Sequence, residues 1–171
     1  DAVLSFETGY HILVIDDGSP DGTAAIVSGI IANYPGRVFM ECRSGKLGLG
    51  TAYIHGFKWA LANGYEFIIE MDAGLSHDPK AIPMFLRVLN EGNECAFGSR
   101  FINGGSIWDS NWKRTFLSRF GTILANVLLG TKMYDMTSGY QGFHAHIVEK
   151  FVNYPLLSRA HFYQTELRFL L

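Results

Sequence analysis

The chain has 171 residues, 48% hydrophobic and 18% charged, with a net charge of −2. That suits one domain with a sizeable core and excludes a disordered chain. The charge balance also excludes a nucleic-acid binder that works by bulk positive charge. Cys42 and Cys95 are far apart in sequence, suit a reducing compartment, and carry no disulfide or metal signal. No uninterrupted apolar run reaches the length of a membrane span, and the first residues carry no signal-peptide pattern. Both ends read as cut. DAVLSF at 1–6 looks like the tail of an amphipathic helix, and FLL at 169–171 stops in mid-pattern. The expectation is a single domain over 1–171, truncated at both ends.

In chain order, Ile12, Leu13, Val14 and Ile15 form a short buried strand closed by Asp16 and Asp17. Gly18, Ser19 and Pro20 turn the chain into a helix over 21–34. Its buried face is Ile26, Val27, Ile30 and Ile31, and its cap is Ser19 or Asp21. A short strand at 37–41 leads to a glycine-rich loop, RSGKLGLGT at 43–51, and then to a helix over 50–62 that Asn63 and Gly64 end. A second buried strand contains Phe67, Ile68, Ile69 and Met71 and stops at Asp72, followed by Ala73 and Gly74. Asp78 caps and Pro79 opens a helix that runs to Asn90, and residues 94–99 form a further strand. Residues 100–111 read as a long polar loop. A strongly amphipathic helix follows over 112–129, with Phe116, Leu117, Phe120, Ile123, Leu124, Val127 and Leu128 at helical spacing. Lys113, Arg114 and Arg119 load its first half with positive charge, where the helix dipole gains nothing from cations.

The repeated strand–helix order implies an α/β domain, a mostly parallel sheet with helices on both faces. In such sheets ligands sit beyond the carboxyl ends of the strands. Two strands that end in Asp, at Asp16–Asp17 and at Asp72, therefore suggest carboxylates lining one crevice. Such groups accept from base or ribose hydroxyls or hold a divalent metal on a diphosphate. The plainer alternative is a pair of ordinary turns with Asp as turn former. The histidines are scattered rather than clustered as ligands. Trp59, Trp108 and Trp112 read as core or loop anchors. The glycines of GKLGLG at 45–50 are wrongly spaced for a dinucleotide loop.

Five motifs carry a resemblance: VIDDGSPDGT at 14–23, GKLGLGTAY at 45–53, MDAGLSHDP at 71–79, GSRF at 98–101 and DMTSGYQGF at 135–143. In order and spacing they resemble family 2 glycosyltransferases, and within them the polyprenol-phosphate sugar synthases. The resemblance implies a GT-A nucleotide-binding fold and an inverting transfer of a hexose, mannose or glucose, from a nucleotide-sugar (GDP-mannose or UDP-glucose) to a polyprenyl phosphate. It implies Mg2+ or Mn2+ as cofactor, no nucleic-acid partner, and a peripheral position at the cytoplasmic face of a membrane, reached through parts outside this chain.

Carried over position by position, the resemblance implies that Asp16, Asp17, Gly18, Ser19, Lys46, Gly48, Asp72 and Ala73 bind the nucleotide-sugar. Asp72, Asp135 and Arg100 would be catalytic. Arg100, Arg114, Ser118, Arg119 and Ser138 would meet the acceptor phosphate, with Asp135 and Ser138 on the sugar side. Asp72 and Ser76 would hold the metal, and Gln164 and Glu166 match a Gln-X-Glu pair. Two departures stand out. Gly74 occupies the second position of the family's Asp-X-Asp metal motif, and the family's first strand is absent. Gly74 motivates a rival of another class, a non-catalytic nucleotide-sugar-binding domain of the same fold. Asp78 and Glu70 are the nearest carboxylates that would replace the missing one.

Overall fold

A computed structural model describes residues 2–6, 9–74, 76–102, 105, 112–155, 157, 158 and 162–171, and the backbone alone at Arg114. Trp108 and most of the loop at 100–111 lie outside the described residues. The elements are β1 (Ile12–Asp16), α1 (Thr23–Asn33), β2 (Val38–Cys42), α2 (Leu49–Ala62), β3 (Phe67–Glu70), a 3-10 turn (Pro79–Ala81), α3 (Ile82–Asn90), β4 (Cys95–Phe97), α4 (Trp112–Leu129), β5 (Gln141–His144), α5 (Ala145–Phe151) and α6 (Tyr163–Leu170).

β1 and β2 pair in parallel from Ile12↔Val38 to Asp16↔Cys42. β5 lies between β3 and β4 and runs antiparallel to both, so β3 and β4 share one direction. The expected α/β layering holds, with β5 as the antiparallel strand. The β3–β5–β4 sheet is covered on both faces because side chains alternate along β5. Phe143 points into a core with Phe57, Ile147, Phe151, Tyr163 and Leu167, supplied by α2, α5 and α6. Gly142 points the other way, and a Cβ there would come within 3.1 Å of Phe85 and 3.4 Å of Leu89 on α3. The first turn of α2 meets α6 just as closely. A Cβ at Gly50 would lie 2.9 Å from Tyr163 Cβ, so a larger residue would push these helices apart.

Three expectations are corrected in detail. The residue capping α1 is Gly22, in the left-handed region, while Asp21 accepts hydrogen bonds from the Thr23 amide and hydroxyl one position earlier. Ile26 on α1 is exposed and Val27 is the buried one, because the two-stranded sheet beneath covers a single stripe of the helix. The largest correction concerns α4. Its boundaries match the reading of 112–129, yet the apolar residues from Phe116 to Leu128 face outward, with Val127 75% exposed. The inward stripe is polar. Ser118 meets Arg100, Thr122 is buried and accepts from the Met136 amide, and Asn126 bonds to the main chain of Met133.

At the end of β3, Glu70 is 3% exposed and accepts from Gln141 Nε2 at 2.9 Å. Burial pushes its carboxyl up to about 8, only partly offset by Gln141 and by the charge of Arg168. The native state therefore holds a proton that the unfolded chain releases near its ordinary value of 4.5. This contribution to stability is full below that value and is lost as pH rises toward 8. Thermal melts between pH 5 and 8 should show Glu70→Gln losing less stability than the native protein; parallel curves would contradict a protonated Glu70.

Candidate active site

The β1 end is a tight turn. Asp16 is buried and its Oδ2 accepts from the amides of Gly18 and Ser19, each at 3.2 Å, so this carboxylate is spent on the turn itself. Gly18 and Gly48 both have positive φ, 76° and 104°, which explains glycine at these two loop positions. Asp17 turns outward into a two-pronged ion pair with Arg43, at 2.6 Å on both oxygens. The Arg43 hydrogen bond holds the Asp17 carboxyl below its ordinary value despite partial burial, helped by the charges of Arg43 and exposed Lys46. Arg43 also donates to Thr51 Oγ1 at 2.8 Å.

Thr51 stands in the first turn of α2, and just after it comes Tyr53, whose hydroxyl donates to Asp72 Oδ1 at 2.9 Å. The amino-terminal end of α2 thus holds the end of β3 directly and that of β1 through Arg43. It brings Asp17 and Asp72 into one neighbourhood, as two acidic strand ends lining a crevice require. The Tyr53 hydroxyl is pushed well above its usual range, by burial first and by the charges of Glu70 and Asp72 next, so it remains a donor.

His77 closes the turn after β3. Its Nδ1 accepts the Asp72 amide at 2.9 Å, which leaves the ring proton on Nε2, 4.0 Å from Asp72 Oδ2. The ring stacks on Tyr140 with centroids 4.8 Å apart, and burial lowers its affinity for a second proton. Asp72 keeps the freest carboxylate of the group, with a side chain 42% exposed. Ala73, Gly74 and Ser76 are exposed on the same turn. A Cβ at Gly74 would meet nothing within 4 Å. Glu70 is buried against Gln141, and Asp78 is engaged by the Lys80 amide at the head of the 3-10 turn. Among the described residues no three of His, Cys, Asp and Glu stand close enough to form a metal cluster.

The second half of the site is built on Asp135, whose side chain is fully buried. Arg100 binds it through Nε and Nη2, both at 2.8 Å, and donates to Thr137 as well. Burial alone would raise the Asp135 carboxyl, but the Arg100 bonds and charge win and hold it below its ordinary value. Arg100 Nη1 approaches Ser118 on α4 at 3.4 Å, and the guanidinia of Arg100 and Arg119 both lie over the Phe101 ring, at 5.3 and 5.1 Å. Four residues assigned to the acceptor side or to catalysis, Arg100, Ser118, Arg119 and Asp135, are thereby brought together. Ser138 is buried and accepts from the Tyr140 amide, and the Arg114 side chain lies outside the described residues. Gln164 is buried and packs against Gly139, beside His77, while Glu166 holds the amides of Leu157 and Ser158. His77 reaches from Asp72 to the 135–140 turn, since it accepts the Asp72 amide, stacks on Tyr140 and lies beside Gly139.

Sequence reasoning missed Arg43 and Tyr53 as partners of the two aspartates, and also His77, Thr137 and Arg168. Arg43 opens the glycine-rich loop, and an arginine next to a loop that must meet anions was the available signal. A cavity of about 330 Å3, lined in part by Glu94, Cys95 and Lys150, opens at the amino end of β4, away from these groups. The strand-end cluster is favoured because the paired charges converge there.

Removing Arg100 should strand the buried Asp135 charge. Arg100→Ala is expected to cost about 3 kcal/mol of stability, the lower end for breaking a buried pair because Arg100 is itself partly exposed. Arg119→Ala, on the exposed side of α4, should stay within about 0.5 kcal/mol of native. Urea denaturation of the two variants checks both values, and equal losses would contradict this division of roles.

Residues 1–152 match the family described as Glycosyl transferase family 2. The chain is 38% identical over 157 residues to the polyprenol monophosphomannose synthase of Mycolicibacterium smegmatis, covering 92% of this chain and 59% of that one. It is 34% identical over 158 residues to the undecaprenyl-phosphate mannosyltransferase of Micrococcus luteus, covering 92% and 64%. The chain therefore spans less than two thirds of the length of these relatives. The layered α/β arrangement with acidic strand ends is that of a GT-A fold. With the family match running from the first residue through α5, the chain belongs to glycosyl transferase family 2.

Proposed function

We propose that this domain transfers mannose, with inversion, from a nucleotide-sugar to the phosphate of a polyprenyl phosphate. The observation that carries this reading is the two-part site. The amino-terminal end of α2 holds the strand-end carboxylates, and His77 joins Asp72 to the 135–140 turn, whose Asp135 pairs with an Arg100 guanidinium that shares Phe101 with Arg119. The first part suits the donor, and the second suits an anionic acceptor. The names of both relatives support mannose over glucose, and with it GDP-mannose of the two donors that fit the motifs.

The chemistry asks little proton transfer of the protein. An acceptor phosphate is already anionic at neutral pH, so no general base has to create the nucleophile. Its oxygen attacks the anomeric carbon as the bond to the nucleoside diphosphate breaks, and the diphosphate leaves with the electron pair. The residues have to hold two anions in line and exclude misplaced geometries. Arg119 and the free side of Arg100 serve the acceptor, while the loop at 43–48 and the turn at 16–19 serve the donor.

The donor set of the 72–76 turn fits a divalent ion of the open kind. Asp72 offers an accessible carboxylate, Ser76 a hydroxyl, and magnesium commonly completes its shell with water and substrate phosphates. Bound there, the ion would neutralise the leaving diphosphate. The missing carboxylate at Gly74 favours weak metal binding, and it is the one feature that favours the second reading, a domain that binds nucleotide-sugar without turnover.

Manganese titration of product formation separates these cases. In Gly74→Asp the half-saturating metal concentration should fall roughly tenfold or more, as expected when a charged ligand joins the site. The new side chain enters open space. Identical metal curves would mean that the metal is held without position 74. Nucleotide-sugar binding with no product at any metal concentration would leave the non-catalytic reading standing. Arg119→Ala should raise KM for the lipid phosphate while leaving donor binding unchanged, and equal loss of both would contradict the acceptor assignment.

A further inference from the structure

We propose that the Nε2–H group of His77 is a catalytic hydrogen-bond donor to the departing diphosphate of the nucleotide-sugar. This rests on the transfer reading and adds a residue to it. The Nδ1 atom of His77 accepts the Asp72 amide at 2.9 Å, so Nδ1 carries no proton and the neutral ring holds its one proton on Nε2. The plane of the ring is fixed as well. It stacks on Tyr140 with centroids 4.8 Å apart and 17° between planes. Tyr140 is itself buried, and its hydroxyl donates to the Asp78 carbonyl at 3.0 Å. A Cβ at Gly139 would stand 3.4 Å from His77 Cε1, so the backbone passes close to this edge of the ring. The direction of the Nε2–H bond is therefore set before any ligand arrives.

Among the described residues this proton has no hydrogen-bond partner. Asp72 Oδ2 stands 4.0 Å from Nε2, beyond hydrogen-bond range. The buried side-chain nitrogens and oxygens without a partner belong, among the described residues, to Arg37, Glu70 and Tyr163, so the Nε2–H group is not enclosed in the core. It opens beside Asp72, whose side chain is 42% exposed, on the turn that the diphosphate has to approach. In the transfer, the acceptor oxygen bonds to the anomeric carbon while the bond from that carbon to the diphosphate oxygen breaks. The electron pair stays on the departing oxygen, whose negative charge grows. A fixed N–H aimed at growing charge stabilises the transition state more than the ground state. The proton stays on the imidazole throughout. The acceptor phosphate is the other anion of the reaction, but its charge falls as it attacks. A donor placed on it would stabilise the ground state and slow the transfer.

Two substitutions separate the two ring nitrogens. In His77→Asn the carboxamide oxygen takes the place of Nδ1, which keeps an acceptor for the Asp72 amide and removes the outer donor. In His77→Gln the terminal NH2 takes the place of Nε2, and the Nδ1 acceptor is lost. Both variants lose the stack on Tyr140, so the cost of that loss is common to them. His77→Asn should lower kcat about a hundredfold with nucleotide-sugar binding little changed, as for a bond made in the transition state. His77→Gln should turn over at least about tenfold faster than His77→Asn. His77→Asn at the native rate, or His77→Gln no faster than His77→Asn, overturns the proposal and leaves His77 as an anchor of the Asp72 amide. So does a loss confined to KM for the lipid phosphate, which would place the bond on the acceptor. A second readout needs no turnover. In proton–nitrogen correlation spectra of the histidine rings, GDP with magnesium should move the His77 Nε2 proton downfield. GMP should not, because it lacks the departing phosphate. No movement with GDP, or equal movement with GMP, overturns the proposal. The expected movement in a protein that forms no product would count against the transfer reading while supporting the His77 contact with the diphosphate.

Discussion

Arg168 is a guanidinium with 5% exposure, and the site hangs from it. From α6 it donates to the carbonyls of Asp135 and Ser138 and approaches Gln141 Oε1 at 3.4 Å. Burial lowers it to about 10, with the nearby Asp135 and Glu70 charges opposing that shift, so it stays cationic at neutral pH. A buried cation is costly unless its donors are satisfied. Here the satisfaction comes from the backbone of the 135–138 turn, which is thereby fixed in place. Gln141 passes the link on to Glu70 at the end of β3. One side chain from the far end of the chain thus fixes both the turn that carries the Arg100–Asp135 pair and the strand that delivers Asp72.

The consequence is a site whose charges are mostly settled before any ligand arrives. Asp17 is matched by Arg43, Asp135 by Arg100, and Asp16 by two backbone amides. Glu70 avoids the problem by holding a proton. Asp72 is different, since one phenol hydrogen bond leaves most of its acceptor capacity free. Preorganisation of this kind means that an incoming anion or cation meets fixed partners and little reorganisation is required.

The sequence made the strands legible because buried strands ending in Asp are a local pattern, and β1 and β3 lie where the apolar runs stop. The ends of α4 were legible for the same reason. Which way α4 faces was not. Periodicity gives the stripe, while the partner of the stripe is decided by Ser118, Thr122 and Asn126 finding long-range bonds that no window of sequence contains. The partners of the aspartates were hidden likewise. Arg43 lies 26 residues from Asp17, Tyr53 lies 19 from Asp72, and Arg168 lies 33 from Asp135. The candidate catalytic positions came from family resemblance, and only the packing of α2 and α6 shows why they stand together.

Arg100 shows how an arginine can be structural and still serve an anion. A guanidinium has five N–H donors. Its Nε and Nη2 are committed to Asp135 and Thr137, which fixes the plane of the group. Among the described residues Nη1 has only the long 3.4 Å approach to Ser118, on the side that faces α4. That side is also where the Arg119 guanidinium lies over Phe101. The carboxylate of Asp135 cancels most of the Arg100 charge at a distance, so a free anion is not trapped by it from solution. An anion delivered to Nη1 still finds an oriented donor backed by the neighbouring cation. The pairing thus converts a strong, indiscriminate charge into a directional contact, which suits the proposed acceptor, an anion to be held in line and then let go.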